Sequence, residues 1–181
     1  MGEARQMAIA AALGHPDIHR ALHLLADFAP DIAAELVHRR LDEIRGEVYF
    51  VLRPVADRLA GSHPVAAILL YRKMADAVLR RGQSPHYDHA VRDLVAAERL
   101  VPNVEDWLGH LSQEDYRRRV ATEHRQKRAF WQRMERAGLP GEDDPPSLSH
   151  SDRSETAEAM TTSPLRVSTA SMVSAFRAIE Y

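Results

Sequence analysis

The chain has 181 residues, with 24 basic and 26 acidic side chains, no cysteine, eight glycines and ten prolines. This length allows one domain, or one domain with a tail, and an apolar content of 45% is enough for a core. The lack of cysteine excludes a disulfide scaffold, thiolate zinc sites and a cysteine nucleophile. The net charge of −2 excludes a protein that coats nucleic acid through bulk charge.

The first two predicted helices each begin at a proline. Pro16 is expected as the first residue of one helix, and Pro30 as the first residue of the next. The second helix carries apolar residues at helical spacing as far as Ile44, and Gly46 is expected to end it. Residues 47–60 have strand-like composition but keep a helical period, which predicts a helix kinked at Pro54.

Three further helices are predicted after the break at residues 61–63. One begins at Pro64 and runs to about residue 81, where a turn at 82–85 follows. The next runs through residues 87–100 and ends at Pro102. Ser112 and Asp115 resemble a capping box at the start of one long helix, which is expected to continue to about Ala137 and to end at Gly138.

The fold class predicted from this series is all-α. Successive helices with short links and no strands suggest antiparallel helix pairs stacked as a short α-solenoid over residues 1–138. The pair at 64–102 fits half of a tetratricopeptide unit, so the expected packing is tetratricopeptide-like without a true repeat.

The composition changes after Gly138. Residues 139–181 contain 12 serines and threonines, and seven acidic against three basic side chains. Residues 139–167 are therefore interpreted as a disordered acidic linker. Met172, Val173, Phe176 and Ile179 follow at helical spacing, which predicts a short amphipathic helix over 168–181.

Segments at 63–72, 87–94 and 124–131 carry a resemblance. They include His63, Pro64, Tyr87, Phe130 and Trp131. With them the chain resembles an uncharacterised bacterial family of helical-repeat proteins, related to C-terminal regions of proteins that carry a SWIM-type zinc finger. The resemblance implies no established activity. It also implies that this chain corresponds to the C-terminal part of that architecture and lacks the zinc-finger part.

His124, Lys127 and Trp131 are one candidate binding site. On one continuous helix they would share a face and form a polar pocket for an acidic peptide or a small anion. The alternative is structural: the Lys127 stem lies on apolar surface while its charge reaches water, and His124 is hydrogen-bonded to a neighbour. Phe130, Trp131 and Trp107 are expected to anchor the last helices to the pair at 64–102.

A basic stretch over residues 117–136 is the second candidate site. Arg117, Arg118, Arg119 and Arg128 belong to it, and aromatic residues lie between the charges, as in some nucleic-acid footprints. The alternative is a solvated helix face with ion pairs such as Glu114 with Arg118.

Histidines at positions 15, 19 and 23 lie four residues apart, a spacing that can chelate a metal. Pro16 places the first of them at the helix boundary, and no carboxylate completes the set, so no metal and no cofactor is predicted.

The function predicted from the sequence is a non-enzymatic protein-interaction module. Motifs for phosphate loops, serine nucleophiles and zinc proteases are missing from the sequence. The expected partner is another protein or a missing N-terminal domain, and the alternative is nucleic-acid association through residues 117–136. No stretch of about 20 apolar residues is present, so a cytoplasmic protein without membrane contact is expected.

Overall fold

Helices make up the regular structure of the residues that the computed structural model describes, 2–139. Over this range the chain forms eight α-helices and no β-strand, which confirms the all-α prediction. The helices are α1 (Gly2–Leu13), α2 (Ile18–Phe28), α3 (Pro30–Arg39), α4 (Tyr49–Leu59), α5 (Pro64–Arg81), α6 (Tyr87–Leu100), α7 (Gln113–His124) and α8 (Arg128–Arg136). Short 3-10 turns occupy Leu41–Glu43, Ser84–His86 and Val101–Asn103.

Helix α2 begins two residues later than predicted. Asp17, not Pro16, decides the start, because its carboxylate accepts hydrogen bonds from the backbone N–H groups of His19 and Arg20 at 3.0 and 3.4 Å. A side-chain acceptor at this position satisfies the free N–H groups of the first turn. The first helical residue is therefore Ile18.

Helix α3 begins at Pro30 as predicted but ends before Gly46. Its last residue is Arg39, and a 3-10 turn follows. The guanidinium of Arg40 binds the carboxylate of Glu43 through two hydrogen bonds, which stabilises this turn. Helix α4 confirms the helical prediction for residues 47–60, with Pro54 inside it.

Helix α5 is the centre of the fold. Every residue from 65 to 72 is buried, and the helix contacts α3, α4 and α6. Its predicted ends are confirmed: Pro64 is its first residue, and Gly82 follows it with a φ of 68°. The Gly82 N–H donates to the Val78 and Leu79 carbonyls, as is common where a left-handed residue ends a helix.

The predicted single long helix over residues 112–137 is wrong, because the chain breaks between α7 and α8. Lys127 has a non-helical ψ of 67°, and α8 begins after it. This turn places Phe130 in the core. Its fully buried ring packs edge-to-face with the Tyr87 ring, and the two ring centroids are 5.9 Å apart. Burial of a large aromatic ring outweighs the few backbone hydrogen bonds that the break removes. The predicted cap at Ser112 is confirmed by its hydrogen bonds with Asp115.

Two groups of buried apolar residues form the core. The first joins α2, α3, α4 and the N-terminal half of α5. The second joins the C-terminal half of α5 with α6, α7 and α8, and includes Phe130. Trp107 packs against the first group and Trp131 against the second. Helix α5 thus contributes side chains to both groups.

Gly138 ends α8 with a φ of 79°, as expected. Apart from Leu139, the predicted linker at 139–167 and the predicted helix at 168–181 lie outside the described residues. Among the helices of residues 2–139, none combines the length and the apolar character that a bilayer crossing requires.

Candidate functional site

The structure brings His124, Lys127 and Trp131 together, but by a turn instead of one helix face. The Trp131 ring nitrogen donates to the His124 carbonyl at 3.0 Å. The Lys127 ammonium lies beside Gly82, 3.7 Å from where a Cβ on that residue would be. A cation at this place stabilises the negative end of α5. Burial, and then the charge of Lys127, lower the pKa of His124. Trp131 and Lys127 thus both make contacts within the fold, and the Trp131 contact is with the His124 backbone and not with its ring.

The three consecutive arginines of the basic stretch each lie beside a carboxylate. The N···O distances are 3.6 Å for Arg117 to Glu98, 2.7 and 2.9 Å for Arg118 to Glu114 and Asp115, and 2.8 Å for Arg119 to Asp76. Arg128 is exposed at the first position of α8. Because each of these three arginines lies beside a carboxylate, the positive electrostatic potential there is weaker than three unpaired arginines would produce.

A cleft of about 290 Å³ lies between α4, α5 and α6. Met74, Ala77 and Val78, all from α5, provide its apolar floor. The segment before α4 closes one side, because Gly46 lies directly against the α5 backbone. We refer to this site as the α4–α6 cleft.

Three rings form one wall of the α4–α6 cleft. Tyr49 stacks on His89 with a centroid separation of 6.5 Å, and His89 stacks on His86 at 6.2 Å. The Tyr49 side chain is 63% exposed, although aromatic residues usually bury most of their surface. The wall therefore offers open ring surface on which another apolar or planar group can pack.

Charged groups surround the cleft at two depths. Arg81 and Arg92 are exposed residues of its lining, together with Glu47. Deeper in the cleft, Arg53 binds the buried carboxylate of Asp93 at 2.9 Å. Burial raises the pKa of Asp93 to about 7, against the opposing effect of Arg53. The outer part of the cleft is thus cationic, and its interior holds an ion pair.

A second polar contact holds Arg53 in place. Its guanidinium lies 5.8 Å from the centre of the Tyr71 ring, and the Tyr71 hydroxyl donates to Asp57. Burial and the carboxylate of Asp57 raise the pKa of Tyr71 well above its usual value. Tyr71 therefore remains a neutral donor, and the polar groups beneath the cleft are fixed.

The stability of Asp93→Asn relative to the wild type is expected to rise by about 2 kcal/mol between pH 4.5 and pH 8. The folded state raises the pKa of this carboxyl from 3.8 to about 7. Ionised Asp93 therefore destabilises the fold increasingly as the pH rises from about 4 to 7, and the effect is constant above that range. Urea unfolding at pH 4.5, 6 and 8 measures the difference.

The control for this experiment is Asp42→Asn, which changes an exposed carboxyl in the 3-10 turn at Leu41–Glu43. Its effect on the free energy of unfolding is expected to stay within about 0.5 kcal/mol at each pH. If the relative stability of Asp93→Asn instead falls between pH 4.5 and pH 8, the ion pair with Arg53 outweighs the cost of burial.

Sequence reasoning did not find the α4–α6 cleft. One available signal was that Tyr49 and Phe50 are large aromatic residues outside the apolar stripe of their helix. Both are exposed, and Phe50 lies on a separate groove with Leu24 and Val51. The cleft also takes residues from three helices, and their proximity is decided by packing around α5.

The histidines at 15, 19 and 23 line one groove, but their side chains have different surroundings. His15 precedes α2, and its ring nitrogen binds the backbone of Asp17. His19 is buried and accepts a hydrogen bond from the Arg45 N–H at 3.1 Å, while His23 is exposed. Across residues 2–139, no three histidine or acidic side chains come together as a metal-binding group.

Comparison with curated proteins gives no match, and comparison with solved structures gives none either. The model of a family of unknown function, DUF6880, matches residues 2–133, which is more than half of the chain. This match confirms the prediction of an uncharacterised family and covers almost all of the described helices. The chain therefore belongs to the DUF6880 family.

Proposed function

We propose that this chain is a non-enzymatic protein-interaction module, and that the α4–α6 cleft binds a short segment of another protein. The observation that carries the proposal is the combination of an apolar floor, an exposed ring wall and a cationic outer part in one cleft. Exposed aromatic and arginine side chains are the residue types that dominate binding energy at protein interfaces.

The size and charge of the cleft indicate which residue types the bound segment would contain. Its volume of about 290 Å³ lies at the lower end of the range for ligand pockets and is enough for one or two side chains. An apolar or aromatic anchor would pack on Val78 and against Tyr49. Acidic residues beside the anchor would pair with Arg81 and Arg92, which are exposed and therefore available.

The arrangement of the helices supports an interaction module. From α1 to α6 each helix contacts the next one, and helices two apart also meet, as α3 and α5 do and as α6 and α8 do. We propose that these contacts are those of antiparallel pairs in a short, tetratricopeptide-like solenoid. Solenoids characteristically offer surfaces for partner binding. Nucleic-acid binding by residues 117–136 has less support, because Arg117, Arg118 and Arg119 each face a carboxylate.

Selection of random displayed peptides on the immobilised full chain tests the proposal. The selected peptides are expected to share an apolar or aromatic anchor with acidic residues beside it. They should bind Arg81→Glu and Tyr49→Ser at least tenfold more weakly. Both positions are exposed, so neither change removes a buried contact of the core.

The chain offers a matched control for each variant. Arg80→Glu reverses a charge next to Arg81 but outside the cleft lining, and Leu24→Ser removes an exposed apolar side chain of the other groove. Both are expected to bind like the wild type. Absence of a shared peptide sequence, or equal loss in the control variants, would exclude the cleft as the binding site.

A further inference from the structure

The segment between the 3-10 turn at Val101–Asn103 and α7 contains a strained turn. Leu108 has a φ of 52° and Gly109 a φ of 78°. A residue with a Cβ seldom adopts this left-handed conformation. The apolar leucine side chain also cannot form a local hydrogen bond that would stabilise it. Leu108 is 58% exposed, so burial of its own side chain does not hold the conformation. Other contacts must hold residues 104–112, which we call the α7 loop.

Arg72 holds the C-terminal part of the α7 loop. It is buried in α5 and donates to the Leu111 carbonyl at 2.7 Å, and its guanidinium lies 5.0 Å from the centre of the Trp107 ring. Burial lowers its pKa to about 10, so it remains charged at neutral and acidic pH. This contact is therefore independent of pH in the range where histidine titrates.

A second contact joins the α7 loop to α3. His110 Nε2 and His38 Nδ1 are 3.1 Å apart, and the rings stack with centroids 5.2 Å apart. A hydrogen bond between two imidazole nitrogens requires one N–H and one free lone pair. When both rings carry two protons, both nitrogens are donors, and two positive charges face each other.

We propose that His38 and His110 form a pH-sensitive latch, which holds the α7 loop on α3 while at least one ring is neutral and releases it when both are protonated. This inference is independent of the α4–α6 cleft. The release leaves the loop attached at Arg72, so the strained turn at Leu108 can relax without unfolding of the helices.

The surroundings of His38 favour its neutral form. Burial, His110 and His63 all lower its pKa below the usual value of 6.5. His63, at the start of α5, binds Asp31 on α3 at 2.9 Å. On the same helix Arg39 is paired with Glu35, and in the loop the Asp106 carboxylate accepts from the Leu108 N–H. Release is therefore expected below pH 6.5.

Trp107 provides the measurement. The chain has two tryptophans, so Trp131→Phe leaves Trp107 in the α7 loop as the only one. In this background the Trp107 emission is expected to change between pH 7 and 5, with a midpoint below 6.5 and constant far-ultraviolet circular dichroism. His110→Gln should abolish the change, because an amide can donate to or accept from His38 at any pH. His23→Gln, at an exposed remote site, should keep it.

Proton NMR of the wild-type histidines gives a second test that does not depend on any variant. The ring protons of His38 should shift at a lower pH than those of an ordinary histidine, because burial and the neighbouring imidazoles lower its pKa. The latch is excluded by an unchanged Trp107 transition in His110→Gln, by parallel loss of helical signal, or by a pKa of His38 at or above its usual value of 6.5.

Discussion

Replacement of Gly46 by alanine is expected to lower the free energy of unfolding by about 3 kcal/mol or more. Gly46 is buried where the segment before α4 crosses α5. A Cβ at this position would overlap the backbone carbonyl of Lys73 and would lie 2.9 Å from the Cβ of Ala77. Neither atom belongs to a flexible side-chain end, so the whole segment would have to move away from α5.

Gly61→Ala is the matched control, because a Cβ there has no heavy atom within 4 Å among the neighbours described. Its effect is expected to stay within about 0.5 kcal/mol. Urea unfolding of both variants measures the difference. Equal stabilities would show that the segment before α4 is not fixed against α5. Because the same segment closes the α4–α6 cleft, Gly46→Ala should also weaken the binding of selected peptides.

Replacement of Arg72 by methionine is expected to lower the free energy of unfolding by about 3 kcal/mol, because the loss of its hydrogen bonds outweighs the gain from no longer burying a charge, the burial that lowers its pKa. The guanidinium donates twice to the Gln113 side-chain oxygen, at 2.8 and 3.0 Å, and once to the Leu111 carbonyl. It also lies 4.6 Å from the centre of the Tyr116 ring. Methionine fills similar space but leaves the buried Gln113 oxygen and the part-buried Leu111 carbonyl without these donors.

Arg72→Lys separates charge from geometry. A lysine keeps the positive charge but lacks the planar guanidinium with its several N–H donors. Most of the decrease in the free energy of unfolding should therefore remain in Arg72→Lys. Arg80→Met, on the exposed side of the same helix, should change the free energy of unfolding by less than about 0.5 kcal/mol. If Arg72→Met unfolds at the same urea concentration as the wild type, apolar packing alone holds α7 on α5.

Local signals decided which parts of the fold could be predicted. Pro64 and Gly82 determine where α5 begins and ends, and both act on the backbone of their own neighbours. The break before α8 could not be predicted in this way, because it depends on the burial of Phe130 against Tyr87, 43 positions earlier in the sequence. The polar run at residues 122–128 was the only local sign of it.

The candidate site was predicted less well than the fold. The proximity of His124, Lys127 and Trp131 was expected from the sequence, but the turn gives them structural contacts. The α4–α6 cleft escaped prediction, because Tyr49 and His89 meet only through the packing of α4 and α6 on α5. The spacing of apolar residues in the sequence predicts the buried face of a single helix. A cleft depends on how several helices pack together, which this spacing does not show.

The position of α5 in both halves of the core has a consequence for folding. The two ends of α5 each contribute side chains to one of the two apolar groups of the core. If α5 separated from one group, it would also expose apolar surface of the other. The two halves of the described chain should therefore gain and lose their structure in one cooperative step, with the amide protons of α5 the slowest to exchange with solvent. In this respect the molecule differs from long repeat arrays, whose units can open from an end.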